Sequence, residues 1–198
     1  MTTESGRADT NGRRGLDAKG RRTLVLIVLI GLAPIVASYL AYYVLPRERQ
    51  VNYGELLATR PAPPLAGTRL DGRPFALADL SGRWIMLVAA PGACDKECAD
   101  ALYATRQART IQNADAERVV RVWLIVDEAA PSPEILAQHP GLEVVHVPRT
   151  AVAALPASAA RIYLIDPRGN LVLAWPLSPD IKAVAKDLSR LLRASSIG

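Results

Sequence analysis

Apolar residues are grouped along this chain in two ways, one long uninterrupted run and a series of short ones. Residues 24–45 carry no charge and read Leu-Val-Leu-Ile-Val-Leu-Ile-Gly-Leu-Ala-Pro-Ile-Val-Ala-Ser-Tyr-Leu-Ala-Tyr-Tyr-Val-Leu. About 20 helical residues, at roughly 1.5 Å each, cross a bilayer core, so the run predicts a transmembrane helix. Pro34 would kink it, which membrane helices tolerate. Tyr39, Tyr42 and Tyr43 sit at its far end, where an interfacial aromatic belt belongs. A cleaved signal peptide has a shorter apolar core, about 7–15 residues, and Val36-Ala37-Ser38, a weak match to its cleavage site, lies inside the run. An uncleaved anchor is the expectation.

The short runs come later. Residues 68–77 read as a hairpin turning on Asp71-Gly72. Residues 84–89 are wholly apolar and do not alternate, the pattern of a strand buried on both faces. From Cys98, apolar positions recur at Ala101, Leu102, Ala108 and Ile111, a helical period. Further strands are predicted at residues 119–126 and 142–147, with a short helix starting near Pro133 between them. Residues 162–165 and 171–175 flank Asp166-Pro167-Arg168-Gly169-Asn170, a strong hairpin signal. The last helix has an apolar stripe of Ile181, Val184, Ala185, Leu188, Leu191 and Leu192, with Lys182, Lys186 and Arg190 toward water. Ser178 is its expected N-cap, with Pro179 at the first helical position and Asp180 in the first turn.

This order of elements predicts an α/β fold, a thioredoxin-like domain with a central mixed sheet flanked by helices, behind a single N-terminal transmembrane helix. The expected divisions are a disordered cytoplasmic tail over residues 1–23, the anchor over 24–45, a linker over 46–64, and the extracytoplasmic domain over 65–198.

Charge sharpens the topology and removes one class of partner. The net +5 is concentrated in the tail, where residues 1–23 hold six basic and three acidic groups. Residues 47–198 hold eighteen basic and sixteen acidic groups, with no basic face or aromatic interleaving that would suggest nucleic acid. Basic residues before the helix place the amino terminus in the cytoplasm. The expected location is therefore a bacterial inner membrane with the domain in the periplasm, where cysteine pairs can oxidise.

The only cysteines are Cys94 and Cys98, placed just after the 84–89 strand and a Pro91-Gly92 break. Open α/β sheets gather chemistry where a strand's carboxyl end hands over to a helix. A helix N-terminus favours a Cys94 thiolate, whereas Asp95, Glu97 and Asp100, against a single Lys96, disfavour it. A mild redox couple is the expectation. In a regular helix, residues four apart hold their Cβ atoms about 5–6 Å apart, and a disulfide wants about 3.5–4.5 Å. Closure thus requires the first turn to deform or Cys94 to lie in the loop. Two thiolates could also hold Cu(I). A structural pair is the remaining alternative.

These residues resemble the Sco/SenC family, membrane-anchored thioredoxin-like proteins that assemble the copper site of cytochrome c oxidase. The likeness is carried by Leu70-Asp71-Gly72-Arg73-Pro74-Phe75, Cys94-Asp95-Lys96-Glu97-Cys98, Leu124-Ile125-Val126-Asp127 with Pro133-Glu134-Ile135-Leu136, and Tyr163-Leu164-Ile165-Asp166-Pro167-Arg168-Gly169-Asn170. The resemblance implies Cys94 and Cys98 as the redox pair and as copper(I) ligands, with an oxidase subunit bearing the copper site as partner. The family's third ligand, a histidine five residues before the tyrosine, falls on Ser158 here, so the third ligand is not identified. His146 reads as a strand residue, and the cis-proline of thioredoxin-like reductases would align near Ala160. Asp127 is expected to be a structural or site-orienting acid, or a solvated loop residue. The leading expectation is a Sco-like accessory factor in oxidase maturation. A noncatalytic assembly module and a general periplasmic thiol–disulfide reductase are the alternatives.

Overall fold

The structure is a computed structural model in which residues 18–44, 52–156 and 161–195 are described. It divides into two units, residues 1–49 and 50–198. The first holds helix α1, Ala18–Val44, with Pro34 inside it. Its stretch Gly20–Leu40 is long and apolar enough to cross a membrane, and its apolar side chains are exposed. The helix begins before the apolar run, because Arg21 and Arg22 are good helix formers and neither Gly nor Pro separates them from it. Residues 18–23 are therefore helical rather than part of a disordered tail, and the rest of that tail lies outside the described residues.

The second unit is built on strand β4, Trp84–Ala90. Trp84, Met86, Val88 and Ala90 face one core, while Ile85 and Leu87 face another. A strand with cover on both sides has no need of polar alternation, which explains its unbroken apolar sequence. β5 (Val119–Ile125) runs parallel beside β4, and β6 (Leu142–His146) runs parallel beside β5. On the other side, β7 (Arg161–Ile165) is antiparallel to β4, and β8 (Asn170–Pro176) is antiparallel to β7. The hairpin of β2 (Ala66–Arg69) and β3 (Pro74–Ala76) adds beyond β6. Its Gly72 takes φ +83°, which glycine adopts without strain. The β7–β8 turn is held by Asp166 Oδ1, which accepts from the N–H groups of Arg168 and Asn170.

One strand lies where a linker is expected. β1, Glu55–Pro61, pairs antiparallel with β8 and gives the eight-stranded order β1-β8-β7-β4-β5-β6-β2-β3. Its side chains are mostly exposed, so apolar periodicity cannot reveal it. It is secured instead from the last helix, α5 (Ile181–Ala194). Asp187 of α5, 1% exposed, accepts from the Tyr53 N–H at 3.1 Å, the Gly54 N–H at 2.9 Å and Trp175 Nε1 at 3.1 Å. Arg190 leans toward the same carboxylate at 3.8 Å rather than toward open water.

Helices α2 (Lys96–Thr110) and α5 cover one face of the sheet. α2 presents Cys98, Ala101, Leu102, Ala104 and Ala108 to that core, but Ile111, expected on its apolar stripe, is the half-exposed C-cap residue. α5 is capped by Asp180, whose carboxylate accepts from the Lys182 and Ala183 N–H groups. Ser178, the expected cap, instead donates to Asp100 at 3.3 Å. The short helices α3 (Pro133–Gln138) and α4 (Arg149–Val152) complete the set, α3 opening on the Ser132 cap.

Arg121 of β5 takes a helix-side position and is 2% exposed. It donates to the Pro140 carbonyl at 2.7 Å, and no carboxylate pairs with it among the described residues. Burial, with Arg109 and Arg106 adding repulsion, pushes its pKa down to about 10. His139, the C-cap of α3, is also buried, and burial first, then Arg121 and Arg106, holds its pKa below the ordinary value. The unfolded chain therefore takes up this proton near pH ~6.5 while the folded chain is still neutral. The stability that His139 contributes above pH ~6.5 is lost as pH falls toward the folded value. Thermal melts should show stability declining from about pH 6.5 downward, and His139→Gln should flatten that part of the slope relative to the parent chain.

Candidate functional site

The site lies at the carboxyl edge of β4. Four residues, Pro91 to Cys94, separate its last residue, Ala90, from the α2 N-cap, Asp95. The Cys94 N–H donates to the Pro91 carbonyl at 3.1 Å, closing a tight turn. Cys94 itself has φ +43°, a left-handed conformation that a non-glycine residue holds only when its surroundings enforce it. α2 begins at Lys96, so Cys94 lies outside the helix and Cys98 lies in its first turn.

That placement resolves the spacing problem posed by a Cys-x-x-x-Cys pair. Cys94 and Cys98 form a disulfide with Cα atoms 5.1 Å apart, inside the usual range for such a bond. The helix keeps its regular start, and the loop residue supplies the adjustment. Cys98 is 1% exposed, whereas Cys94 is partly exposed against the same core. One cysteine is partly open to solvent and the other is shielded.

The acids around the pair have specific partners. Asp95 caps α2, its carboxylate accepting from the Cys98 N–H at 3.0 Å. The positive end of the helix is thereby occupied by a carboxylate rather than left to a Cys94 thiolate. Asp100 pairs with Lys96 at 2.6 Å, and their hydrogen bond lowers the Asp100 pKa and raises that of Lys96. Glu97 projects into water. Of the three acids flanking the pair, Asp95 is thus committed to the helix end and Asp100 to Lys96.

Asp127, just past β5, contacts the turn before Cys94 and is not a solvated loop acid. Its Oδ1 accepts from the Gly92 N–H at 2.8 Å, in the turn leading to Cys94, and from the Ala129 N–H at 3.3 Å. His146 closes β6, with its Nδ1 3.3 Å from the Asp127 carbonyl oxygen. Among the described residues, no three His, Cys, Asp or Glu side chains gather as a metal cluster. Ser158 and Ala160, the positions matching the family histidine and the cis-proline, lie outside the described residues. The contact of Asp127 with Gly92 could not be read from the sequence, because the two are 35 residues apart and meet only through the β4–β5 register.

Residues 84–195, more than half of the chain, match the family described as transmembrane-like, thioredoxin-like, C-terminal domain. The chain belongs to that family. No curated protein matches this thioredoxin-like chain. Among solved structures, it is similar to Bradyrhizobium japonicum ScoI with copper bound, at 21% identity and a TM-score of 0.54, over 66% of this chain and 99% of that one. Yeast Sco1 with copper bound gives 17% identity and 0.58, over 69% and 96%. The thioredoxin domain of a thiol-disulfide oxidoreductase from Bacteroides vulgatus gives 16% and 0.52, over 69% and 99%. These likenesses establish the thioredoxin-like fold shared with Sco proteins.

The unequal exposure of the two cysteines makes a direct prediction. After reduction, a limiting amount of iodoacetamide should alkylate Cys94 well before Cys98, read by peptide mass spectrometry. Equal labelling of both cysteines in the folded chain would contradict this geometry.

Proposed function

We propose that this protein is a membrane-anchored thiol–disulfide couple, with Cys94 as the attacking thiolate and Cys98 as the resolving thiol. The observation that carries the proposal is the disulfide at the end of β4, with Cys98 buried and Cys94 partly exposed in the loop before α2. In the reducing direction, the Cys94 thiolate attacks one sulfur of a partner disulfide and forms a mixed disulfide, releasing the partner's other sulfur as a thiolate. The Cys98 thiolate then attacks the Cys94 sulfur. The protein leaves as a disulfide and the partner as a dithiol, with two electrons passed to the partner.

Residues 24–45 would anchor the chain in a bacterial inner membrane with its amino terminus in the cytoplasm, and the domain would work in the periplasm. The partner under this proposal is the copper-bearing subunit of cytochrome c oxidase. The same pair supports a second reading. B. japonicum ScoI and yeast Sco1 were solved with copper bound, and two thiolates suit Cu(I). Copper here would be cargo on a two-thiolate site, and among the described residues no His, Asp or Glu side chain joins the cysteines in a metal-binding group.

One experiment separates these uses. The reduced full-length chain in detergent is mixed anaerobically either with glutathione disulfide or with Cu(I) under a competing chelator. The couple predicts oxidation by glutathione disulfide, no oxidation in Cys94→Ala, and a mixed disulfide accumulating on Cys94 in Cys98→Ala. Stoichiometric Cu(I) retention lost in both variants would establish the carrier role. Neither exchange nor copper retention would leave a structural disulfide and overturn the proposal.

A further inference from the structure

The turn carrying Cys94 is clamped from the neighbouring strand. β4 and β5 are parallel and in register, with Ala90 opposite Ile125, so the chain two residues past each strand brings Gly92 beside Asp127. Gly92 is buried, and its N–H needs an acceptor there, which Asp127 Oδ1 supplies at 2.8 Å. The same oxygen takes the Ala129 N–H at 3.3 Å, tying the loop after β5 into one unit with the turn. The fit between the two loops is close. A Cβ on Gly92 would stand 1.8 Å from the Ala129 carbonyl oxygen, so only glycine permits the approach. On the far side, His146 Nδ1 lies 3.3 Å from the Asp127 carbonyl oxygen, bracing Asp127 from β6.

The residue that this clamp delivers is the one with the constrained backbone. Cys94 is two positions beyond Gly92, its N–H bonded back to Pro91 and its φ at +43°. Closure of the disulfide depends on that conformation, because Cys98 is fixed by α2 and its Asp95 cap and cannot move to meet a displaced partner.

We propose that Asp127 is a positioning residue for the redox pair. By holding the Gly92 N–H it fixes the turn in which the Cys94 sulfur meets that of Cys98, and so raises the effective concentration of one thiol at the other. Its role is exerted through hydrogen bonding and not through its charge. This inference rests on the reading of Cys94 and Cys98 as an exchangeable couple.

The test uses the full chain in detergent, equilibrated with mixtures of glutathione and glutathione disulfide and quenched by alkylation. Two protein thiols and one glutathione disulfide give one protein disulfide and two glutathione thiols, so the ratio read by mass spectrometry yields the equilibrium constant. Asp127→Ala should move that constant about tenfold toward the dithiol, the scale of one lost hydrogen bond. Asp127→Asn, whose amide oxygen can still accept from Gly92, should stay within about threefold of the parent. Gly92→Ala, which forces the turn away from Ala129, should shift the constant in the same direction as Asp127→Ala, and this comparison holds even where Asp127→Ala does not fold. An unchanged constant in Asp127→Ala or Gly92→Ala, or an Asn variant as displaced as the Ala variant, would overturn the role of Asp127. A parent chain that fails to equilibrate at any glutathione ratio would overturn the couple itself.

Discussion

Burial of β4 on both faces is the constraint from which the placement of the disulfide follows. Its backbone is bonded to β5 on one edge and β7 on the other, and its side chains divide between two cores. A strand so fixed cannot slide without moving its apolar side chains to the wrong faces. The turn after Ala90 is consequently delivered to a defined place at the sheet's carboxyl edge, where the loop after β5 stands beside it. Asp127, Gly92 and the Asp95 cap then convert a fixed strand end into a fixed cysteine.

The Cys94–Cys98 disulfide joins a loop to a helix. Cys98 has the rigidity of the first turn of α2 and almost complete burial, whereas Cys94 has the partial exposure that exchange with another protein requires. The surrounding carboxylates are largely committed elsewhere, Asp95 to the helix end and Asp100 to Lys96. The thioredoxin-like fold accommodates both thiol exchange and copper carriage, which is why the function rests on the cysteines themselves and not on the architecture.

Much of this was legible in the chain because the signals were periodic or local. β4 and β5 announced themselves as apolar runs, the β2–β3 and β7–β8 turns through Asp-Gly and Asp-Pro-Arg-Gly-Asn, and the site through two cysteines at a strand-to-helix handover. What escaped depended on contacts distant in sequence. β1 is an exposed edge strand held by β8 and by Asp187 more than 130 residues away. The α5 cap fell to Asp180 because Ser178 is drawn to Asp100 across the helix pair. Buried Arg121 sits inside an otherwise apolar strand, where no periodicity distinguishes it. The position of the cysteine pair was readable from its neighbours in sequence, whereas the contact of Asp127 with the turn before it required the sheet.

The central claim is that Cys94–Cys98 is an exchangeable couple and not a permanent staple. Its reduction potential, measured on the full-length chain against a thiol–disulfide buffer, tests that claim most directly. A mild couple predicts a value between about −180 and −270 mV, within the span of disulfide exchange proteins. A value below about −300 mV, the range of structural disulfides in exported proteins, would contradict it.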